Sequence, residues 1–138
     1  MSASTSPGGP PRPEGPAGAR RAVDLAAAFT AFDEHWSPRI VAEVNDYDVK
    51  IAKVEGAYAE HAHADTDEFF LVINGRLRLE FRERAAVELR PGQLHVVPKG
   101  VHHRPVADPG TQILMFEPSG TVNSGDADVA GTAGVVLE

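Results

Sequence analysis

Cysteine is missing from this chain of 138 residues. Its absence excludes disulfides, thiolate metal ligands and a thiol nucleophile, so any metal site must be built from His, Asp and Glu. It also fits a reducing compartment, and cytoplasmic residence is the expectation. Positive charge is short as well: 13 Lys and Arg stand against 20 Asp and Glu, a net charge of −7 with neutral histidines. A nucleic-acid backbone is therefore not an expected partner. No apolar run approaches the roughly 20 residues of a membrane-spanning helix, and no membrane partner is expected. Arg20-Arg21 ahead of "AVDLAAAF" loosely resembles an export signal, but the segment carries Asp24, is short and runs into "DEHW" without an apolar core. Also missing are a phosphate-cradling glycine loop, a dinucleotide fingerprint and any Ser-His-Asp arrangement that can be placed. There is no internal repeat of the whole unit, and the length suits one domain with a real core.

The segments that are present differ in grammar. Residues 1–19 are rich in Pro and Gly and hold no large apolar side chain, so burial cannot offset their ordering entropy and a disordered tail is expected. Residues 20–35 read as a short helix, with Val23, Leu25, Ala26, Phe29 and Phe32 approximating an apolar stripe among helix-favouring alanines. Pro38 stops anything helical beyond it. From 36 to 118 the chain breaks into short runs rich in Val, Ile, Leu and Phe: "RIVAEV", "DVKIAKVEG", "FFLVING", "RLRLEFR", "AVELRPG", "QLHVVPKG", "HHRPVA" and "TQILMFEP". Spacing of that kind predicts an all-β antiparallel sandwich or barrel. "RLRLEF" alternates cleanly, with Leu77, Leu79 and Phe81 on one face. Residues 119–138 form a Gly-rich arm, read as a loose tail or as a segment that packs on a neighbour.

The stretch "HAHADTDEFF" at 61–70 concentrates the chemistry. On a helix His61 and His63 would point about 200° apart, whereas on a strand both rings leave the same face and become a chelate. Gly56, His61, His63, Glu68 and Gly75 together spell G-x4-H-x-H-x4-E-x6-G, and Gly92, Pro98, Gly100 and His103 spell G-x5-P-x-G-x2-H. These two motifs, in this order and with a short segment between them, resemble those of the cupin superfamily. The likeness covers roughly residues 36–118. Small single-domain cupins of the "mannose-6-phosphate isomerase-like" build are similar, including segments like "FDEHWSP", "VPKGVHHRPVA" and "FEPSGTVN".

The resemblance implies a single jelly-roll β-barrel with His61, His63, Glu68 and His103 as metal ligands. Three imidazoles and a carboxylate with open positions suit one divalent transition metal, Fe, Mn, Ni, Zn or Co. Glu68 has competitors in Asp65, expected in the turn, and Asp67, expected on the opposite strand face. His102 competes with His103 and is expected at the surface or rim. Catalytic candidates are His95, which is either an acid/base or a satisfied core or interface histidine, and Glu117, which either reaches the barrel mouth or caps a turn. By strand parity Tyr58 and Glu60 should turn away from the metal. Lys53, Arg76 and Arg104 are candidate anion contacts by type alone, and His35 reads as structural.

Such a site predicts a metal-dependent enzyme acting on a small oxygenated metabolite, of isomerase, cyclase or lyase type. The alternatives are an Fe(II)-dependent dioxygenase and a non-catalytic cupin that binds a small ligand or metal. A homodimer is expected, because Phe29, Phe32 and Trp36 are a large apolar load for a peripheral segment well placed to cover a partner's sheet edge.

Overall fold

The computed structural model describes residues 21–137. The expected Pro/Gly-rich tail at 1–19 lies outside the described residues. The expected all-β barrel is present, built from β1 (Arg39–Val44), β2 (Tyr47–Ala57), β3 (Glu68–Asn74), β4 (Leu77–Phe81), β5 (Val87–Leu89), β6 (Leu94–Val97), β7 (His103–Pro118) and β8 (Val135–Val136). One path of paired strands runs β5-β4-β7-β2-β1-β8, and β3 pairs with both β7 and β6. The barrel is not closed, so β5, β6 and β8 are left as edges.

Strand β7 is the spine. The runs "HHRPVA" and "TQILMFEP" read as two segments, yet the structure joins them into one strand of 16 residues. Its first limb pairs with β4, from Leu77↔Ala107 to Phe81↔His103, and its second limb pairs with β3, from Phe69↔Phe116 to Asn74↔Gln112. Between the limbs Asp108-Pro109-Gly110 stands opposite the single residue Glu55 of β2, and Gly110 takes φ +78 there. A bulge of this size bends a strand without ending it, which carries β7 from one sheet to the other.

The apolar run "FFLVI" is apolar on both parities because both of its faces are covered. Phe70 and Val72 enter the interior with Ala52, Val54, Leu77, Leu79, Val97, Ile113 and Met115. On the outer face Ile73 and Leu114 pack with Phe29, Phe32 and Ile51. Helix α1 spans only Leu25–Phe29, shorter than the expected 20–35. Asp24 caps it by accepting from the Ala27 N–H at 3.2 Å, and the Thr30 hydroxyl bonds back to the Ala27 carbonyl at 2.6 Å where it ends.

Two expectations change here. Phe29 and Phe32 are 2% and 5% exposed within their own chain, so their apolar surface is consumed in place and supplies no argument for a partner copy. The C-terminal arm is not a loose tail. It folds back onto its own barrel, where β8 lies parallel to β1 with Arg39↔Val135 and Ile40↔Val136 in register. Leu137 then joins the Phe29–Phe32–Ile51 cluster.

This outer cluster is large for so short a helix, and burial rather than helix propensity must hold α1 in place. Phe29→Ala should therefore destabilise the fold by about 3 kcal/mol, read from urea unfolding. An unchanged midpoint would place the helix outside the cooperative unit.

Candidate metal centre

Strand β2 ends just beyond Gly56, whose φ of +74 breaks the regular strand before the histidines. His61 is then captured as an isolated antiparallel bridge with His103. The His61 N–H donates to the His103 carbonyl at 3.0 Å, and the His103 N–H donates back to His61 at 2.9 Å. His63 is tied by its carbonyl, which accepts from the Gly100 N–H at 2.8 Å. That bond joins the first motif to the tight "PKG" turn of the second, where Gly100 has φ +79. Asp67 braces the same turn by accepting from the Lys99 N–H at 2.9 Å, and it faces outward, as does Asp65. Glu68, the first residue of β3, is the carboxylate that turns inside.

The structure thus brings His61, His63, Glu68 and His103 together, at 1%, 7%, 3% and 1% exposure. One oxygen, Glu68 Oε1, lies 2.7 Å from His103 Nε2, 3.2 Å from His63 Nε2 and 3.7 Å from His61 Nε2. Ligand atoms of His61, His63 and Glu68 all fall within 4.8 Å of one another, so this trio could hold a metal ion.

The tautomers sharpen the argument. His61 Nδ1 is 2.8 Å from the Ala59 carbonyl, and His103 Nδ1 is 3.0 Å from the Val101 carbonyl. A carbonyl only accepts, so each Nδ1 carries the proton. In a neutral ring Nε2 then presents a lone pair toward a carboxylate, which repels unless a cation lies between them. His61 Nε2 and His63 Nε2 are buried with no hydrogen-bond partner among the described residues. His103 can bond to Glu68 through Nε2 only as an imidazolium, and a metal cation satisfies the same arrangement for all three rings. The donor set therefore fits a resident metal ion, and the carbonyl acceptors behind the rings are the supports such ligands need.

Burial pushes the Glu68 carboxyl upward, but the surrounding imidazoles of His103, His61 and His63 outweigh it and hold the group well below the usual range. Burial depresses His63, yet Glu68, with Glu117 and Asp126 at longer range, leaves its imidazole raised. Tyr58 is raised by burial and then by the Glu68 charge. That proximity corrects the parity argument: Tyr58 does not turn away, and its ring meets His61 edge-on at 5.7 Å. It stacks on Trp36 at 4.7 Å, and both line a narrow, mostly apolar cavity with Ala52, Phe70, Met115 and Glu68. A second cleft, of about 310 Å³, opens on the other side against His63, Asp65, Thr66, Thr121 and Asp126.

Glu117 lies inside and is 1% exposed, one residue beyond the Phe69↔Phe116 pair and therefore beside Glu68. It does not cap a turn. Lys50, itself 0% exposed, donates to Glu117 Oε2 at 2.8 Å and to the Thr121 carbonyl at 3.0 Å. Burial pushes the Glu117 carboxyl up, and Lys50 pulls it only part of the way back. His95 is paired with Phe70 in register and meets Phe81 edge-on at 6.2 Å. It is not a satisfied core histidine, because its buried Nε2 has no hydrogen-bond partner among the described residues. His102 points to the rim, 3.2 Å from Asp126 Oδ2, and His35 is exposed. Lys53 donates to the Phe32 carbonyl, Arg76 pairs with Asp108 and Glu88, and Arg104 pairs with Glu80, so none of the three reaches the centre.

Tyr58, Lys50 and Asp126 escaped the sequence reading. For Lys50 a signal existed: it shares strand parity with the core residues Ala52 and Val54. Tyr58 could not be placed by parity because β2 ends at Ala57 and residues 58–60 lie outside any strand.

Residues 48–116 match the cupin domain family. A solved cupin-2 domain-containing protein from Shewanella frigidimarina superposes with a TM-score of 0.67 at 45% identity, covering 70% of this chain and 93% of that one. A Neisseria meningitidis protein superposes with a TM-score of 0.65 at 27% identity, covering 72% of this chain and 100% of that one. Among curated sequences, the uncharacterised Bacillus subtilis protein YdbB is 38% identical over 64 residues, 46% of this chain and 57% of YdbB. The match thus spans little more than half the length of that relative.

The shifted groups give the metal-free protein a pH signature. Glu68 is lowered in the fold, so its contribution is complete above the unfolded value of about 4.3 and is lost as pH falls. His63 is raised, so its contribution is complete below about 6.5 and is lost as pH rises through its folded value. Glu117, also raised, adds to the fall on the alkaline side of about 4.3. Urea midpoints of chelator-stripped protein should peak in weakly acidic solution, and His63→Ala should lessen the alkaline fall. A midpoint that climbs steadily to pH ~8 would contradict this assignment.

Proposed function

The chain belongs to the cupin family, and from that premise we propose that His61, His63, Glu68 and His103 hold one divalent transition metal in an enzyme that transforms a small oxygenated metabolite by isomerase, cyclase or lyase chemistry. The observation that carries the reading is the convergence of buried Nε2 atoms on Glu68 Oε1, with the Nδ1 protons of His61 and His103 already engaged by carbonyls. Fe, Mn, Ni, Zn and Co all suit three imidazoles and a carboxylate. When bound, the metal would supply Lewis acidity toward a carbonyl or hydroxy-ketone oxygen of the substrate and ease loss of a neighbouring proton.

The rest of the reading concerns the chain's own groups. Glu117 is the proton carrier in this reading. It shares the interior with the cluster, burial favours its protonated form, and Lys50 favours its charged form. A buried carboxyl raised in this way can take a proton at Oε1 or Oε2 and return it. His95, inward-facing through its pairing with Phe70, is the second candidate for the same task. Phe70, Met115 and the Trp36–Tyr58 stack keep the inner cavity apolar, which strengthens every charge interaction inside it.

One observation favours a second reading. The apolar lining by Ala52, Val54, Phe70, Ile113 and Met115 beside Glu68 would suit the O2 chemistry of an Fe(II)-dependent dioxygenase. Two inward proton carriers weigh against a bare binding role.

Elemental analysis of untagged protein, purified without chelator, tests the site. About one equivalent of metal per chain is expected, with at least a ~10-fold loss in His103→Ala. Zinc, nickel or manganese would support the isomerase, cyclase or lyase reading, whereas iron with oxygen uptake on catechols would favour the second. Metal-free protein that also refuses added zinc, cobalt and iron would sink the site. Glu117→Gln should keep the metal and lower turnover of an identified substrate by about 10²-fold; unchanged turnover would remove Glu117 from the chemistry.

A further inference from the structure

We propose that Asp126, on the C-terminal arm, is a positioning residue that clamps the two histidine-bearing segments of the centre in register. The inference rests on the metal reading above and deepens it. Residue 62 lies between His61 and His63, so the placement of its backbone sets how far apart the two rings stand. Both of its peptide groups are held by one residue. The Ala62 N–H donates to Asp126 Oδ1 at 2.7 Å, and the Asp126 N–H donates to the Ala62 carbonyl at 3.0 Å. Ala62 is 4% exposed, so its N–H would otherwise be buried without a partner. A carboxylate acceptor makes the first of these bonds charge-assisted and short. The other oxygen, Oδ2, lies 3.2 Å from Nε2 of His102, the residue before His103. One side chain therefore touches both halves of the ligand set from outside.

The approach of the arm is close enough to demand glycine. Gly125 sits at φ +54, and a Cβ there would fall on the Ala62 carbonyl oxygen and lie 3.0 Å from His61 Cδ2. The arm's backbone is thus seated against the His61 ring as well as against the peptide that follows it. It is not free to drift. The Lys50 ammonium holds the Thr121 carbonyl at 3.0 Å, and Asn123 donates through its amide to the Trp36 carbonyl at 3.0 Å. The Thr132 N–H closes the loop on Asn123 Oδ1 at 2.8 Å, and β8 anchors the end to β1. Of Asp126's contacts, the pair with His102 is half-exposed and contributes little by itself. The two bonds to Ala62 carry the clamp. A shift of the ligand backbone by about 1 Å is enough to degrade a site of this kind.

The test uses the full chain and Co(II) as the probe, with affinity from chelator competition, the Co(II) absorption spectrum, the melting temperature of the metal-free protein and hydrogen exchange of the Ala62 amide. Asp126→Ala should weaken Co(II) by about 10- to 100-fold, change its spectrum and release the Ala62 amide to exchange, a loss of affinity larger than its fall in metal-free melting accounts for. Asp126→Asn keeps an acceptor for Ala62 and should restore most of the affinity. Gly125→Ala, which displaces the arm without touching the carboxylate, should reproduce the Asp126→Ala pattern. Wild-type affinity in Asp126→Ala with a protected Ala62 amide overturns the proposal. So does a loss of affinity that only follows a loss of metal-free stability and is equal in Asp126→Asn. His103→Ala is the control for the underlying reading: if it binds Co(II) like the wild type, the metal site fails. Ala62 exchange in metal-free wild type and Asp126→Ala then still decides whether the clamp exists.

Discussion

Two backbone carbonyls, those of Ala59 and Val101, accept from Nδ1 of His61 and His103, and that choice of nitrogen governs the interior. Once Nδ1 is spent, Nε2 has only a lone pair to offer, and it offers it to a carboxylate that is 3% exposed. Burying like-signed electron density is unfavourable unless a cation resolves it. A proton can do so for one ring at a time. A divalent ion does so for all of them and also satisfies Glu68. The interior is thus arranged so that a metal ion could hold these groups together, and the carbonyls behind the rings are as much a part of that arrangement as the rings themselves.

The geometry that makes this possible is carried by one strand. β7 begins at His103, where it exchanges hydrogen bonds with His61, and ends at Pro118, with Glu117 inside next to Glu68. Between those ends it contacts β4, β2 and β3 in turn. The bulge at Asp108-Pro109-Gly110 lets a single strand serve two sheets, so both ends of the same element face one interior. An error of register there would rotate every inward side chain outward, because the side-chain period of a strand is two.

Motif residues were legible in the sequence because each does a local job. Gly100 turns the chain at positive φ and the alternation of "RLRLEF" gave β4 correctly, whereas His61 and His63 reach the centre from outside any named strand, His61 as an isolated bridge. For the carboxylate of the cluster, spacing favoured Glu68 over Asp65 and Asp67, and the structure keeps both aspartates outside, Asp67 on the Lys99 peptide. What failed was anything that depended on continuity over distance. Tyr58 was misplaced because parity was counted from His61 back through residues 58–60, which lie outside any strand. The break at Asp108-Pro109-Gly110 was taken as a strand end because local turn chemistry cannot reveal that pairing resumes beyond it. The arm was unreadable for a similar reason. Beyond the short β8–β1 pairing, its anchors are isolated hydrogen bonds to peptides roughly 60 to 90 positions away, such as those of Asp126 with Ala62 and Asn123 with Trp36, and no periodicity announces them.

The buried pair of Lys50 and Glu117 is the feature hardest to explain by stability alone. Taking two charges out of water costs several kcal/mol per ion, and well-packed apolar residues of similar volume often serve a fold as well or better. Met115, opposite Lys50 in register, and the core residues beyond it are apolar, so the pair stands at the border between the apolar core and the polar cluster. Nor does the pair merely neutralise itself, since Glu117 remains raised despite Lys50 at 2.8 Å. Its net effect is a carboxyl raised above its ordinary value, beside Glu68 and within the field of His63. A fold gains nothing from a buried carboxyl so raised. A proton-transfer reaction does, and a costly pair at this place in the interior is what supports the enzymatic reading proposed above.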